Sequence, residues 1–164
     1  MSSGNGGGAQ LAAATALRVG TQAPAREFGP LTRQMFVRYA GASGDLNPMH
    51  YDDQLAQSAG YPSVFAQGMF SAALLAGFAT DWLGADSVRR FGVRFREQVW
   101  PGDVLTCSGV VTAVSTESDA ERVSVELTAT RQTGGVAITG TAEFLNPRNA
   151  ARRDAGGTGH CPSG

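Results

Sequence analysis

Residues 68–83 read GMFSAALLAGFATDWL, with apolar side chains on nearly every face that a helix would present. A surface helix carries one apolar stripe, so a helix from Gln67 or Gly68 to about Leu83 needs cover on most sides. Lipid cannot supply that cover. The longest apolar run, Met69 to Phe78, is interrupted by Ser71 and Gly77 and falls short of the roughly 20 residues of a membrane span. The rest of the chain therefore has to wrap this helix.

The wrapping material lies downstream. Phe91, Val93 and Phe95 alternate with Gly92, Arg94 and Arg96, and Val123, Val125, Leu127 and Ala129 alternate with polar neighbours, which is the period of a half-buried strand. Val104 to Val114 and Val136 to Leu145 are also rich in β-formers. Turn chemistry separates these runs at Pro101-Gly102-Asp103, Ser118-Asp119 and Gly134-Gly135, and connections that short predict an antiparallel meander. Upstream, Thr32 can cap a helix whose Phe36, Tyr39 and Ala40 share a face and which ends near Gly41 to Gly44. Asp52 can cap a short helix through Ala59, with Gly60 at the left-handed position, so that Asp52 and Asp53 read as structural. The order predicts an α+β fold, a curved antiparallel sheet around one central helix.

With 164 residues there is room for one core, placed here at 17–146 between a Gly/Ala/Ser-rich leader, 1–16, and a tail, 147–164, both read as disordered. Charged residues make up 16% of the chain against a typical figure of about 25%, which suggests that a partner subunit covers part of the surface. Thirteen basic and fourteen acidic residues leave a net charge of -1, too little positive field to hold nucleic acid. Cys107 in a strand and Cys161 in the tail form no disulfide framework, and the first residues lack a signal peptide's basic region and apolar core. A cytoplasmic, membrane-free protein is expected. The only histidines are His50 and His160, so one chain cannot assemble a multi-histidine metal site. Cys107 reads as a small buried hydrophobe rather than a nucleophile.

The segment Tyr39-Ala-Gly-Ala-Ser-Gly-Asp-Leu-Asn-Pro-Met-His50 resembles the signature of MaoC-like hydratases, whose core reads Gly-Asp-x-Asn-Pro-hydrophobic-His. The likeness continues through Phe65-Ala-Gln-Gly-Met69, Gly92-Val-Arg-Phe95 and Pro101-Gly-Asp103, covering most of 17–146. It implies a hot-dog fold and a dimer, either of two identical chains or with another hot-dog subunit. The substrates implied are acyl thioesters of coenzyme A or acyl carrier protein, and no cofactor is required. Asp45 and His50 match the catalytic pair, which would interconvert a trans-2-enoyl thioester and its (R)-3-hydroxyacyl partner.

That chemistry must move a proton on and off carbon 2 and activate or expel water at carbon 3, which calls for two polar groups converging on one water. An imidazole, ordinarily titrating near neutrality, and a partly desolvated carboxylate suit the task. Pro48 bars a helix from continuing between them. Asn47 either fixes this loop through side-chain to backbone hydrogen bonds or orients the water. By resemblance the Gly68 N–H, at the start of the apolar helix, holds the thioester oxygen as negative charge develops. The other reading of Gly68 is a glycine that lets helix and sheet pack closely. Met69 and Ser71 follow it as substrate-binding or loop-orienting candidates, and Gln67 precedes it where the family commonly has His. Ala76 stands where some relatives have a supporting Ser.

Phe70, Phe78 and Trp82 are core or acyl-tunnel lining. Arg89, Arg90, Arg94 and Arg96 are either the solvated face of a strand or a cluster that meets a phosphate or an acidic carrier. Two other functions compete with the lyase: a hot-dog thioesterase, and a non-catalytic acyl-binding subunit, for which Gln67 and Ala76 speak.

Overall fold

The computed structural model describes residues 17–117 and 120–147. The expectations for the leader 1–16, the Ser118-Asp119 turn and the tail from 148 onward fall outside the described residues.

Both short helices start where their caps place them. In α1 (Arg33–Ser43) the Thr32 hydroxyl accepts from the Met35 N–H at 3.3 Å, and Gly44 (φ 76°) closes the other end on the Ala40 carbonyl at 3.0 Å. Phe36 and Ala40 are its buried residues. In α2 (Asp53–Ser58) one Asp52 oxygen accepts from the N–H groups of Gln54 and Leu55 at 2.9 and 3.2 Å. Asp53 does more than extend that helix. Its carboxylate pairs with Arg33 of α1 and accepts from the Ser63 hydroxyl at 3.1 Å and the Val64 N–H at 3.2 Å, tying both helices to the approach of α3. The Arg33 hydrogen bond first, then that of Val64, holds the Asp53 carboxyl below the usual carboxylate range.

The apolar helix α3 spans Gly68–Leu83, as its sequence implies. Four long strands follow: β2 (Val88–Phe95), β3 (Leu105–Glu117), β4 (Ala120–Arg131) and β5 (Val136–Pro147). The last runs one residue beyond the expected boundary at 146, with Pro147 opposite Ala120. A three-residue strand, β1 (Arg26–Phe28), pairs with β3 at Leu105–Cys107; it is too short to show any alternation, and sequence reasoning missed it.

The antiparallel sheet has the order β1-β3-β4-β5-β2. Only β3, β4 and β5 form the expected meander. β2 does not neighbour β3 but pairs with β5 at the far edge, with Gly92 opposite Thr141 and Phe95 opposite Ile138. Residues 96–104 carry the chain across rather than turning it back. The Asp103 carboxylate clips this crossing in place, accepting from the Trp100 N–H at 2.8 Å, Arg131 Nε at 2.7 Å and Gln132 Nε2 at 2.9 Å.

The sheet curls around one side of α3. Ala72, Leu75, Phe78, Ala79 and Leu83 are buried with Val111, Val123, Val125, Leu127, Ile138 and Phe144 in one cluster. Glycines on the sheet let the helix settle: a Cβ at Gly140 would stand 3.3 Å from Leu75, and one at Gly109 3.1 Å from Trp82. Cover is less complete than the apolar sequence implies. Met69, Ala73, Gly77 and Asp81, four residues apart on one stripe, are exposed, because five strands of a single chain close on only part of the helix. Among the described residues no helix is long and apolar enough to cross a membrane.

Candidate active site

The loop after α1 is built by its own side chains. The Ser43 hydroxyl donates to the Tyr39 carbonyl at 2.7 Å and accepts from the Asp45 N–H at 3.2 Å. Asn47 accepts from the Met49 N–H at 3.1 Å through its side-chain oxygen, capping a single 3-10 turn, Pro48–His50, with the proline at its start. This turn rotates the imidazole back toward the carboxylate five residues earlier.

His50 is buried, and its Nδ1 lies 2.8 Å from the Phe65 carbonyl oxygen. A carbonyl only accepts, so Nδ1 carries a proton, and in this tautomer the Nε2 lone pair lies on the other side of the ring. Nε2 stands 3.7 Å from Asp45 Oδ2. That is too long for a direct hydrogen bond, and it leaves both groups free to address a third molecule. The Asp45 side chain is 45% exposed against 8% for His50, so the pair joins a ring fixed by the protein to a carboxylate open to solvent. The Phe65 ring meets the imidazole edge-on, with centroids 5.2 Å apart.

Phe65 links this pair to the start of α3. It also lines a cleft of about 310 Å³ together with Gly68, Ser71, Phe95, Val99 and Ala137. Gly68 is the first residue of α3, where N–H groups have no acceptor within the helix. A Cβ on Gly68 would lie 3.1 Å from the ring of the exposed Phe95, a tight contact that the ring must yield to by a few tenths of an ångström; the direction of the Gly68 N–H is a separate property.

Asp45 and His50 are thus brought together, Asn47 lies in their loop, and Gly68 and Ser71 line the cleft beyond Phe65, which neither Asp45 nor His50 lines. Met69 lies outside the cleft lining, 59% exposed on the open stripe of α3. Gln67 is fully buried; its Nε2 donates to the Phe36 carbonyl at 3.1 Å, and its Oε1 is without a hydrogen-bond partner among the described residues. Ala76 is half-buried and not part of the lining.

Phe65 was missed as a site residue in the sequence reading, because its contribution to His50 is a main-chain oxygen that any residue type supplies. Cys107 is fully buried in β3, and burial pushes its thiol up to about 12, which leaves little thiolate at neutral pH. Among the described residues no group of three or more His, Cys, Asp or Glu side chains is placed to hold a metal ion.

The family model for the MaoC like domain matches residues 15–133, most of the chain. The chain belongs to this family. Among its relatives, the fatty acid synthase subunit beta of Saccharomyces cerevisiae is 31% identical over 117 residues, covering 66% of this chain. The chain spans only 5% of that subunit's length. The (R)-hydratase from A. caviae involved in PHA biosynthesis superposes with a TM-score of 0.71 at 26% identity, over 82% of this chain and all of the other. The structure of the ChsH1-ChsH2 complex from Mycobacterium tuberculosis matches with a TM-score of 0.70 at 26% identity, over 80% of this chain and 98% of that one. The five-stranded sheet curled on α3 is the MaoC-like hot-dog fold.

Proposed function

We propose that this MaoC-like domain is a hydro-lyase that interconverts a trans-2-enoyl thioester and its (R)-3-hydroxyacyl partner. The observation that carries this reading is the Asp45–His50 pair, 3.7 Å apart, with the imidazole tautomer set by the Phe65 carbonyl. In hydration a water lies between the two groups. Nε2 accepts one of its hydrogens and fixes it, while the Asp45 carboxylate takes the other proton as the water oxygen bonds to carbon 3. The electron pair of the double bond moves toward the thioester oxygen, which the Gly68 N–H stabilises. Carbon 2 then takes up the proton held by Asp45, so that one water is added in all and no redox partner is needed. Dehydration is the reverse.

The substrates proposed are thioesters of coenzyme A or acyl carrier protein. The named relatives support this, one being a fatty acid synthase subunit and another an (R)-hydratase. The ChsH1-ChsH2 complex supports assembly with a second hot-dog subunit, identical or different.

The test follows the loss of enoyl absorbance and the chirality of the product with 2-enoyl-CoA and enoyl-carrier substrates. Asp45→Asn and His50→Gln should each lower kcat by about 10²–10⁴-fold. Parental rates in both variants would remove these residues from the chemistry. Thiol release with the enoyl group intact would mark a thioesterase instead, and binding without turnover a non-catalytic subunit.

A further inference from the structure

Residues 65–68 join three parts of the molecule within one short stretch. The Phe65 carbonyl accepts from His50, the Ala66 N–H donates to the Val99 carbonyl at 2.8 Å in the crossing segment, and Gly68 opens α3. Gln67 lies just before the helix, yet its side chain makes no capping bond to it. The amide points to α1 instead, where Nε2 donates to the Phe36 carbonyl at 3.1 Å. A carbonyl only accepts, so this is the orientation in which the amide can bond.

For stability alone the side chain suits its place poorly. Gln67 is fully buried, and Phe36 and Ala66, its bonding partner and its chain neighbour, belong to an apolar cluster with Leu31, Val99 and Leu105. Its Oε1 has no hydrogen-bond partner among the described residues, and a buried acceptor without a donor costs at least as much as one neutral hydrogen bond returns. Phe36 lies inside α1, so its carbonyl already takes the bond of the helix's own ladder and does not need the amide. An unbranched apolar side chain of similar length would leave the fold as stable or more so.

The bond does join the two halves of the site. Asp45 hangs from α1, because the Ser43 hydroxyl at the end of that helix holds both the Tyr39 carbonyl and the Asp45 N–H. The stretch 65–68 carries the oxygen that orients His50 and the N–H of Gly68. Gln67 to Phe36 is the one hydrogen bond between α1 and this stretch among the described residues. Beside it the two helices meet through rings, Phe70 against Phe36 and Tyr39 with centroids 5.7 and 5.5 Å apart, and apolar contact is non-directional. We propose that Gln67 is a positioning residue whose amide fixes the separation between the Asp45 carboxylate and the Gly68 N–H. This rests on the lyase reading above, in which water adds at carbon 3 beside Asp45 while charge gathers on the thioester oxygen at Gly68. A misplacement of about 1 Å between such groups costs on the order of a hundredfold in rate.

Three substitutions test this, read by thermal melts, by kcat and KM on 2-enoyl-CoA and enoyl-carrier substrates, and by crystal structures. Gln67→Met keeps the length and removes both the donor and the orphaned oxygen. It should melt at or above the parent's temperature, while kcat falls about tenfold to a hundredfold and KM stays within about twofold. In its structure the distance from the Asp45 carboxylate to the Gly68 nitrogen should differ from the parent's by about 0.5 Å or more. Gln67→His supplies an N–H of similar reach and should return both kcat and that distance. In Gln67→Glu the neutral acid can donate to the Phe36 carbonyl and the carboxylate cannot, with burial favouring the neutral form. The ratio of its kcat to the parent's should therefore fall as pH rises, a dependence that loss of packing would not produce. Parental kcat in Gln67→Met, an unchanged distance in its structure, or a loss of kcat that Gln67→His leaves in place overturns the tether. A parent that converts no enoyl thioester refutes the lyase reading instead, and the Asp45 to Gly68 distance in Gln67→Met and Gln67→His then decides the tether alone.

Discussion

Two opposing influences meet on the Asp103 carboxyl. Burial favours its neutral form, but hydrogen bonds from Arg131, the Trp100 N–H and Gln132 outweigh burial and hold it below its ordinary value of 3.8. A carboxyl depressed in the folded state adds stability above its unfolded value, and that stability is lost as pH falls through the folded one. Stability should therefore be level from neutrality down to about pH 4 and decline below it. Asp103→Asn leaves the half-buried Arg131 with only the Glu97 carboxylate, 3.5 Å away, as a charged partner and should cost about 2 kcal/mol at pH 7, with a shallower decline in acid; urea titrations of both proteins from pH 7 to pH 3 read this. A variant as stable as the parent at pH 7 would show that the clip contributes nothing. The sequence names Asp103 only as part of a turn, since its partners in β4 and just beyond lie 28 and 29 residues away. The proximity of Asp45 and His50 was legible because both sit in one short loop, five residues apart. The Phe65 oxygen that sets the His50 tautomer carries no residue signature at all.

The elements that sequence located well are those whose boundaries are set locally. Thr32, Asp52 and the glycines at 44 and 60 mark ends through bonds that span only a few residues, and α1 and α2 begin and end there. Asp52→Ala removes the acceptor for two N–H groups and should lower stability by about 1 kcal/mol, while Asp52→Asn should retain most of it; paired thermal melts decide. Melts in which Ala and Asn behave alike would remove the cap from the account. What was not legible is long-range pairing. β2 reads as a strand in isolation, but nothing in its alternation says that its partner is β5, some 50 residues on, rather than the nearer β3. Its Phe95 supplies a reason visible only in three dimensions: at the far edge the ring packs against Gly68, so the strand that closes the sheet also helps to frame the cleft.

The same placement leaves β2 with one side unpaired, and at the scale of the molecule this is the feature that asks for another chain. Among the described residues, alternate N–H and C=O groups along the eight residues of this edge strand point away from β5 without a strand partner, while the opposite edge, β1, is only three residues long. Exposed apolar side chains add to this: Phe95 at the end of β2, Met69 at the start of α3 and Leu46 in the site loop are 52%, 59% and 64% exposed. The low share of charged residues points the same way. A second chain laid along β2 would extend the sheet and bring cover toward the Gly68 cleft, which Phe95 already borders. We predict that the purified protein sediments at twice its chain mass at micromolar concentration, and that Met69→Glu shifts it toward a single chain with an unchanged circular dichroism spectrum. A single-chain mass in the parent would assign the edge to a different hot-dog subunit, and co-expression with such a subunit should then yield a one-to-one complex that the same substitution weakens. If Met69→Glu leaves either assembly as tight as before, the interface lies away from the open stripe of α3.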